Sequence, residues 1–566
     1  MKPFSDLRFV PLGGVGEIGV NTYLYGLKNR WIMVDLGLGF ADETLPGVDI
    51  VLPDLRFIEQ QRSQLDGLIL THAHEDHLGA VPYLWPRLRC PIWCTKFTAA
   101  VLRAKLGETD FGREVPIRIV EPGQNFRVGG FDCRFVHVTH SIPDANALVL
   151  DTPFGRLLHT GDWKLDPAPL VGERTDELAL ETLGKEGVLA IMCDSTNVLS
   201  PGTSGSEAEV RESLTKLIAS QPNRVVLTSF ASNVARLETA MLAARAAGRE
   251  LFVVGRSMRR MIDAAREVGY LQNVPPIRDE READLLPRKK VLYLCTGSQG
   301  EARSALVRIA GGQHPRVRIE PDDTVIFSAK IIPGNERTLY NLHNQLVRSG
   351  IDVITEGDHF VHVSGHPCRD EMEQMYRWIR PQISVPVHGE ARHLHAHQRL
   401  AQQMGVPHAM LIGNGDVVRL APDAPKVIDE VPVGRMVSET DGLVGTGDDI
   451  FRTRRRLMNH GTIMASLVLD EHGSVLAAPQ LTPLGAFELE RFAELRDKAC
   501  DAVSDAVEDL SDTAVADDER VREAVRGAIR QALDLPRQRR PIVEVQITRL
   551  GADALAAFEP VEETVP

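Results

Sequence analysis

Three histidines and an aspartate lie within six residues of one another in the segment Thr71–Gly79, which reads THAHEDHLG. Imidazole and carboxylate groups are preferred ligands of Zn²⁺, and they also suit Mn²⁺. The segment follows the largely apolar run Leu65–Leu70, which predicts a short buried strand ending in a loop. In such a loop the first two histidines can point the same way, while the aspartate and the third histidine point to a second position nearby. The spacing therefore predicts two metal positions, and the alternative is a histidine-rich surface loop. The four side chains are His72, His74, Asp76 and His77.

The pattern H-x-H-x-D-H after an apolar strand resembles the signature of the metallo-β-lactamase superfamily. Three further positions resemble other motifs of that superfamily in the expected order: Asp35, His140 and Asp162. Three more resemble the β-CASP domain that is inserted in its nucleic-acid branch: Asp194, His366 and His388. Together with Ser328–Glu336, which reads SAKIIPGNE, these matches make the chain similar to the bacterial ribonuclease J family over nearly its whole length.

The resemblance implies an α/β fold, in which a metallo-β-lactamase αββα sandwich carries an inserted β-CASP α/β domain and a small α+β C-terminal domain. The expected domains are residues 1–205 and 365–450 for the two parts of the metallo-β-lactamase domain, 206–364 for the β-CASP domain, and 451–566 for the linker and C-terminal domain. The residue pattern points the same way. One alternation of strands and helices runs to Val188–Cys193, and a new one begins after Ser200–Gly205.

The apolar runs also predict individual elements of the insert and the tail. Within the insert, strands are predicted at 224–228, 251–254, 290–295 and 324–328, with helices around 207–220, 233–247 and 336–349. Because these strands and helices alternate, they predict a second parallel sheet. In the tail, strands are predicted at 463–469 and 542–548 and helices near 483–510 and 517–533, with an acidic, loop-like break at 512–519.

The composition is that of a globular protein, with 43% hydrophobic and 25% charged residues among 566. No apolar run approaches the ~20 residues that span a bilayer. The first residues lack the apolar core of a signal peptide. Seven cysteines in so long a chain do not make a disulfide framework, and Cys90 and Cys94 are expected to be buried thiols rather than a metal-binding pair. We therefore expect a cytoplasmic protein without a membrane partner.

The net charge of −14 argues, taken alone, against nucleic acid, whose phosphates favour a basic surface. Two Zn²⁺ ions in a cleft would, however, be the largest charges there. We therefore expect a local positive groove on an acidic protein. Two basic runs, Arg452–Arg456 and Arg537–Arg540, are interpreted either as solvated faces or as contacts with RNA or another subunit.

The metal ligands are assigned from the resemblance. One metal is assigned to His72, His74 and His140, and the other to Asp76, His77 and His388, with Asp162 bridging them. This implies two Zn²⁺ per chain, with Mn²⁺ or Mg²⁺ as alternatives. Asp35 is expected to orient a histidine ligand by a hydrogen bond. Gly14–Gly19 fits the dinucleotide pattern G-x-G-x-x-G, but a strand-like run follows where that pattern needs a helix, so a tight turn near the metals is predicted instead.

The segment His362–His366, which reads HVSGH, is predicted to bind phosphate. Glycine lets the backbone approach a phosphate, and serine and imidazole donate to its oxygens. The expected pocket comprises His362, Val363, Ser364, Gly365 and His366, completed by Ser232 and Asn233. His366 is also expected to protonate the leaving oxygen while Asp194 holds its tautomer, so the expected catalytic residues are Asp76, His366 and Asp194. A turn capped by a histidine is the alternative.

The resemblance also implies a Ca²⁺ site built from Gly47, Asp49 and Asp441, for which ordinary surface carboxylates on loops are the alternative. At position 388, the RNA-acting β-CASP enzymes carry histidine and the DNA-repair branch an apolar residue, so His388 favours RNA.

Two metals about 3.5–4 Å apart can clamp both oxygens of an in-line displacement and lower the pKa of water to about 7, which suits phosphodiester hydrolysis. The resemblance implies a ribonuclease that degrades RNA 5′ to 3′ from a 5′-monophosphate and also cuts internally, in mRNA decay and rRNA maturation. It further implies a homodimer or homotetramer and contacts with other RNA-decay proteins. The alternatives are an endonuclease-only β-CASP enzyme, a small-molecule hydrolase of the lactamase type, and an RNA-binding scaffold without activity.

Overall fold

The computed structural model describes residues 4–42, 44–332, 334–439, 442–533 and 540–551, apart from the side chains of 489–492 and 494. The chain forms two compact units. One comprises the residues up to Phe40 and those from Ile50 to Leu443, and the other comprises Ala41–Asp49 and the residues from Val444 onward. Among the described residues, no helix has the length and apolar character needed to cross a membrane.

The first part of the larger unit supplies most of two sheets. Its strands are β1 (Leu7–Gly13), β2 (Val15–Gly16), β3 (Thr22–Leu27), β4 (Arg30–Val34), β5 (Gly39–Phe40), β6 (Ile50–Pro53), β7 (Leu65–Ile69), β8 (Ile92–Cys94), β9 (Ile117–Ile119), β10 (Asn125–Val128), β11 (Phe131–His137), β12 (Asn146–Thr152), β13 (Gly155–His159) and β14 (Ala190–Asp194). Its helices are α1 (Arg56–Glu59), α2 (Glu75–Leu78), α3 (Val81–Leu88), α4 (Lys96–Leu106) and α5 (Glu177–Glu186).

The chain then leaves these sheets and builds a separate one. Its elements are α6 (Glu207–Ser220), β15 (Val225–Thr228), α7 (Val234–Ala246), β16 (Glu250–Val254), α8 (Arg256–Glu267), β17 (Ile277–Arg278), β18 (Val291–Cys295), α9 (Ala305–Ala310), β19 (Thr324–Phe327), α10 (Glu336–Arg348) and β20 (Asp352–Ile354). The strands pair in parallel in the order β17-β16-β18-β15-β19-β20. The sequence predicts this parallel sheet and four of its strands, but not β17, β20 or the strand order. A capping box of Ser206 and Glu209 starts α6, which fixes where the new alternation begins.

The next elements are α11 (Arg369–Ile379), β21 (Ile383–Val387), β22 (Gly389–Glu390), α12 (Ala391–Gln403), β23 (His408–Ala409), β24 (Asp416–Ala421), β25 (Lys426–Glu430), β26 (Arg435–Glu439) and β27 (Gly442–Gly445). Of these strands, β21, β23, β24 and β25 rejoin the first two sheets. One sheet has the order β25-β24-β1-β3-β4-β7-β8-β9 and the other β10-β11-β12-β13-β14-β21-β23. Because β14 pairs in parallel with β21, the separate sheet is an insertion between neighbouring strands.

The two larger sheets pack face to face around a shared apolar core. The first sheet contributes Phe9 and Tyr25, and the second contributes Phe135, Leu148 and Met192, all of them fully buried. Helices α3 and α4 cover the outer face of the first sheet, and α5, α11 and α12 cover that of the second. This arrangement is the predicted αββα sandwich.

The smaller unit has its own core around a three-stranded sheet, β29-β28-β30. Its elements are α13 (Asp449–His460), β28 (Thr462–Asp470), β29 (Gln480–Leu484), α14 (Leu489–Glu508), α15 (Asp512–Val515), α16 (Asp518–Ala532) and β30 (Ile542–Leu550). The prediction of a helix from 483 was wrong at its start, because Gln480–Leu484 pairs with β28 as a strand. The break predicted at 512–519 contains a short helix, α15, and the first two residues of α16.

Candidate metal centre and phosphate pocket

The metal-ligand candidates come together where parallel strands end. Strand β4 pairs in parallel with β7, and β13, β14 and β21 form a parallel run in the other sheet. Parallel strands present their carboxyl ends at the same edge, so the residues that follow them are neighbours in space. The residues delivered in this way are Asp35, His72, Asp162, Asp194 and His388. Strand β11 ends at His137, and His140 lies in the loop beyond it.

Three imidazoles converge on what we call the first position, formed by His72, His74 and His140. Nδ1 of His74 lies 3.1 Å from Nε2 of His72 and 3.0 Å from Nε2 of His140. Oδ2 of Asp162 lies 3.8 Å from both Nε2 atoms. Four ligands about 2.0–2.1 Å from a tetrahedral Zn²⁺ would be about 3.3 Å apart, so these donor atoms fit a zinc ion.

Burial, the largest contribution, lowers the pKa of all three imidazoles, to about 4 for His74 and well below the ordinary value for His72 and His140. These side chains are therefore neutral at pH 7. Neutral imidazole is the form that binds a metal, so no proton has to leave the first position before an ion enters.

The second position is formed by Asp76, His77 and His388, with Asp162 shared between the two positions. Nε2 of His77 lies 3.2 Å from Oδ2 of Asp162 and 3.6 Å from Oδ2 of Asp76. Nε2 of His388 lies 3.2 Å from Oδ2 of Asp76 without the geometry of a hydrogen bond, and this buried nitrogen has no hydrogen-bond partner among the described residues. Such an orphaned atom beside a carboxylate fits a shared cation.

Burial lowers the pKa values of His77 and His388, but the surrounding carboxylates, Asp162 first among them, together outweigh burial, and both pKa values lie well above the ordinary one. The second position is therefore a site of strong negative potential. The chemistry of its donors suits a hard or borderline divalent cation.

Asp35, which is expected from the sequence to orient a histidine, contacts residues of both positions. Its Oδ2 accepts from Nδ1 of His77 at 2.7 Å and from the hydroxyl of Thr71 at 2.9 Å, and its Oδ1 accepts from the Thr71 amide at 2.8 Å. The Thr71 hydroxyl also lies 3.0 Å from Nδ1 of His72. A single buried carboxylate thus contacts His77 directly and His72 through a hydroxyl.

Two of these residues hold backbone conformations that side chains rarely adopt. Asp35 has φ 60° and His388 has φ 52°. Such left-handed residues cost about 1–3 kcal/mol each and cluster at functional sites. The glycine turn that the sequence places near the metals stabilises one of them, because Gly14 O accepts from His388 N at 2.6 Å and β2 pairs in parallel with β22.

The segment Ser364–His366 lies against the metal ligands. Gly365 O accepts from Nδ1 of His140 at 2.5 Å, so the chain that returns from the insert contacts a ligand of the first position. The Ser364 hydroxyl oxygen accepts from Nδ2 of Asn197 at 2.6 Å and from the His366 amide at 3.1 Å. These bonds leave the hydroxyl hydrogen for a further acceptor.

His366 donates from Nδ1 to Oδ2 of Asp194 at 2.8 Å. Burial lowers the pKa of His366, but the carboxylates of Asp194 and Asp162 outweigh burial and raise it above the ordinary value. The contact fixes the tautomer, so Nε2 remains to face a substrate.

The other residues predicted for the phosphate pocket differ in burial and in their hydrogen bonds. Val363 is 5% exposed and belongs to the apolar core, so its side chain makes no polar contact. The side chain of Asn233 is fully engaged, because its oxygen caps α7 at Arg236 N and its amide donates to Glu207 at 3.1 Å. Ser232 is half-buried in the loop before α7. Nδ1 of His362 is buried without a hydrogen-bond partner in the described part of the chain.

Sequence reasoning missed several contacts at the site. Thr71 precedes His72 and Asn197 lies three residues after Asp194, yet their contacts with Asp35 and Ser364 join segments that are far apart along the chain. Asn21 contacts Asp76 and His77, and it follows the glycine turn directly. His397, on α12, is fully buried, with Nδ1 2.8 Å from the Ser195 hydroxyl and Nε2 2.8 Å from that of Tyr376.

The predicted Ca²⁺ site stays a prediction. Asp49 is exposed, and Gly47 is an exposed turn residue with φ 78°. Asp441 lies outside the described residues, as do Arg537 and Arg539 of the second basic run.

Four family models match successive parts of the chain. They are the metallo-beta-lactamase superfamily over residues 15–229, the ribonuclease J beta-CASP domain over 222–346, the Zn-dependent metallo-hydrolase RNA specificity domain over 350–411, and the ribonuclease J C-terminal domain over 450–550. The fold and the metal-ligand cluster thus define a metallo-hydrolase of the metallo-β-lactamase superfamily with an inserted β-CASP domain.

Whole-chain relatives narrow this class. The chain is 45% identical to ribonuclease J of Sinorhizobium meliloti over 97% of this chain and 98% of that protein. It is 37% identical to ribonuclease J of Mycolicibacterium smegmatis, over 95% and 96%, and 36% identical to ribonuclease J of Corynebacterium glutamicum, over 98% and 78%. The chain belongs to the ribonuclease J family and is a metal-dependent ribonuclease. The predicted fold class, the hydrolytic activity on RNA and the binding of metal are confirmed.

Proposed function

We propose that the enzyme degrades RNA 5′ to 3′ from a 5′-monophosphate end and also cuts RNA internally. The observation that carries this proposal is the placement of Ser364–His366 against the metal ligands through the 2.5 Å contact of Gly365 O with His140. A terminal monophosphate carries more negative charge than an internal phosphodiester, so charge-assisted donors at this place select a chain end.

Two divalent cations per chain are the proposed cofactors, Zn²⁺ first, with Mn²⁺ or Mg²⁺ as alternatives. His72, His74 and His140 would hold one and Asp76, His77 and His388 the other, with Asp162 between them. When bound, such a pair activates water and stabilises charge on the phosphoryl group. We further propose that Asp76 acts as a ligand in this chemistry.

Side chains and backbone of the protein are proposed to bind the substrate phosphate and to donate one proton. The Ser364 hydroxyl hydrogen and the backbone near Gly365 bind a phosphate oxygen, and neutral His362 lines the same segment. Positive charge from Arg236, Lys330 and Lys164 helps to lower the pKa of His362, after the larger effect of burial, so cations surround this segment within an acidic protein. His366, held by Asp194 and protonated on both ring nitrogens because its pKa is raised, donates its Nε2 proton to the leaving oxygen and remains as the neutral imidazole bonded to Asp194.

The direct test uses one RNA labelled at the 3′ end or internally and carrying a 5′-monophosphate, 5′-triphosphate or 5′-hydroxyl. We expect processive shortening from the 5′ end of the monophosphate substrate and much slower shortening of the other two. Equal internal cutting of all three without end-dependent shortening would instead establish an endonuclease-only enzyme.

His366→Ala separates the two roles proposed for this residue. If His366 mainly seats the terminal phosphate, 5′ to 3′ degradation falls more than internal cutting, whereas loss of the proton donor lowers both by a factor on the order of 10²–10⁴. His395→Ala, at an exposed position of α12, is the matched control. A His366→Ala variant unimpaired in both assays would exclude both roles.

Several finer assignments are part of the same proposal. We place the enzyme in the cytoplasm, as a homodimer or homotetramer that works with other RNA-decay proteins in mRNA decay and rRNA maturation. A Ca²⁺ ion at Gly47, Asp49 and Asp441 is also proposed. Truncation after Asp448 should weaken self-association, and a full-length chain that is monomeric by light scattering at micromolar concentration would contradict the assembly proposed here.

A further inference from the structure

Asn21 is joined by its backbone to the metal-binding loop. It is fully buried immediately before β3, and its amide donates to Asp76 O at 2.9 Å while its carbonyl accepts from Gly37 N at 2.9 Å. A Cβ at Gly37 would lie 1.7 Å from Asp76 O, so only glycine allows this close approach. The backbone of Asn21 therefore has a fixed place beside the second position.

The side chain of Asn21 reaches two donor atoms of that position. Its Nδ2 donates to Oδ2 of Asp76 at 3.2 Å and lies 2.9 Å from Nε2 of His77. The other end of the carboxamide is fixed as well, because Oδ1 accepts from the Tyr23 hydroxyl at 2.7 Å. The orientation of the amide is thus set by a tyrosine that is itself 1% exposed.

A cation bound at the second position would affect the two contacts of Nδ2 differently. Nδ1 of His77 donates to Asp35, so Nε2 offers a single lone pair, and a ligated cation takes it. A carboxylate oxygen has more than one lone pair, so Oδ2 of Asp76 can face a cation and accept from Asn21 together. Asp76 is therefore the partner that Asn21 keeps.

We propose that Asn21 is a positioning residue for the second metal position, where its amide holds the carboxylate of Asp76 and Tyr23 holds the amide. The hydrogen bonds of Asn21 among the described residues reach Asp76 and His77 but none of His72, His74 and His140. Its removal should therefore weaken binding at the second position and spare the first. This inference rests on the proposed occupancy by two cations.

The test is a titration of the full-length chain, freed of metal by chelation, with Zn²⁺ alone. In the wild type we expect two binding steps by calorimetry and two ions per chain by elemental analysis. In Asn21→Ala, the first dissociation constant stays within about twofold, and the second rises by about 10-fold, in line with the loss of an outer hydrogen-bond partner of a ligand.

Two further variants make the result specific. Tyr23→Phe removes only the hydroxyl that orients the amide, and we expect the same selective weakening at about 3-fold, a fraction of the effect of losing the amide. Thr22→Val is the matched control, because Thr22 is an equally buried neighbour whose hydroxyl has no hydrogen-bond partner among the described residues. Its two dissociation constants should match those of the wild type.

The outcomes separate the inference from the proposal on which it rests. A wild type that binds one Zn²⁺ refutes the occupancy by two cations. A wild type that binds two, with Asn21→Ala unchanged, tighter at the second step, or weakened equally at both steps, refutes the role of Asn21 alone. If Asn21→Ala does not fold, Tyr23→Phe decides, and an unchanged second step in that variant overturns the inference.

Discussion

The two candidate metal positions share Asp162, yet their donor groups differ in chemistry. The first consists of three imidazoles whose pKa values burial lowers, so its donors are neutral before a cation arrives. The second combines the Asp76 carboxylate with two imidazoles whose pKa values the surrounding carboxylates, Asp162 first among them, keep high in spite of burial. Similar histidines thus behave differently because of where a carboxylate lies.

This difference extends to the residues that support each position. Asp35 accepts directly from His77, which belongs to the second position, but reaches His72 of the first only through the Thr71 hydroxyl. Asn21 also supports the second position. One position therefore depends on a direct charged contact and the other on a neutral relay, and substitutions can test the two separately.

The largest effect is expected from removing the first position. His72→Ala combined with His74→Ala should lower ribonuclease activity by a factor on the order of 10³ or more, because bound metal supplies several kcal/mol of charge stabilisation. The fold should persist, since these side chains lie in a loop at a strand end. Elemental analysis, activity and circular dichroism check this, with His137→Ala as a control whose Nε2 contacts Glu173 O instead of a ligand. Undiminished metal content in the double variant would exclude the ligand assignment.

His388→Val is expected to remove the second position alone. Losing a ligand should raise the second Zn²⁺ dissociation constant by about 100-fold or more, which exceeds the usual loss of an outer partner. The first dissociation constant should stay within about twofold. His393→Ala, a buried histidine at the start of α12, serves as the control in the same titration. Equal weakening of both steps would show that the two positions are not independent.

Much of this site follows from the sequence because its ligands are local. His72–His77 form one short motif after one strand, and the remaining candidate ligands follow apolar runs that predict strands. Parallel pairing then brings those strand ends to one edge. The alternation of strands and helices likewise predicts the inserted parallel sheet correctly.

What the sequence does not predict are contacts between distant segments. The left-handed backbone of His388 depends on Gly14, and the orientation of His140 depends on Gly365 O, 225 residues away. The burial of His397 depends on Tyr376 and Ser195, although its position on an amphipathic helix suggests the surface. In the tail, β29 has no strand signal of its own until it pairs with β28. Each of these features depends on tertiary contacts, which the local sequence pattern does not predict.

Asp35→Asn should affect both positions, but unequally. The variant keeps an oxygen for Nδ1 of His77 but loses the charge that strengthens this contact, so the second dissociation constant should rise about 10-fold, within the range for outer partners of metal ligands. The first should rise less. Asp166→Asn is the matched control, because Asp166 is also a buried carboxylate, bonded to the amides of Ala168 and Glu207. If the first dissociation constant rises more than the second, the direct contact of Asp35 with His77 contributes less to metal binding than its relay to His72 through Thr71.

Thr71→Val gives the smallest effect and the sharpest comparison. Valine keeps the shape and the backbone amide that donates to Oδ1 of Asp35 at 2.8 Å, but removes the hydroxyl between Asp35 and His72. A neutral hydrogen bond contributes about 1 kcal/mol net, so the first Zn²⁺ dissociation constant should rise about 5-fold. The second dissociation constant should not change, because His77 keeps its own bond to Oδ2 of Asp35.

Thr98→Val, at a fully buried threonine of α4 that is bonded to Thr95, controls for the loss of a buried hydroxyl. The opposite result would be a Thr71→Val variant whose second Zn²⁺ dissociation constant rises while the first is unchanged. It would mean that the Thr71 hydroxyl supports the second position and not the first.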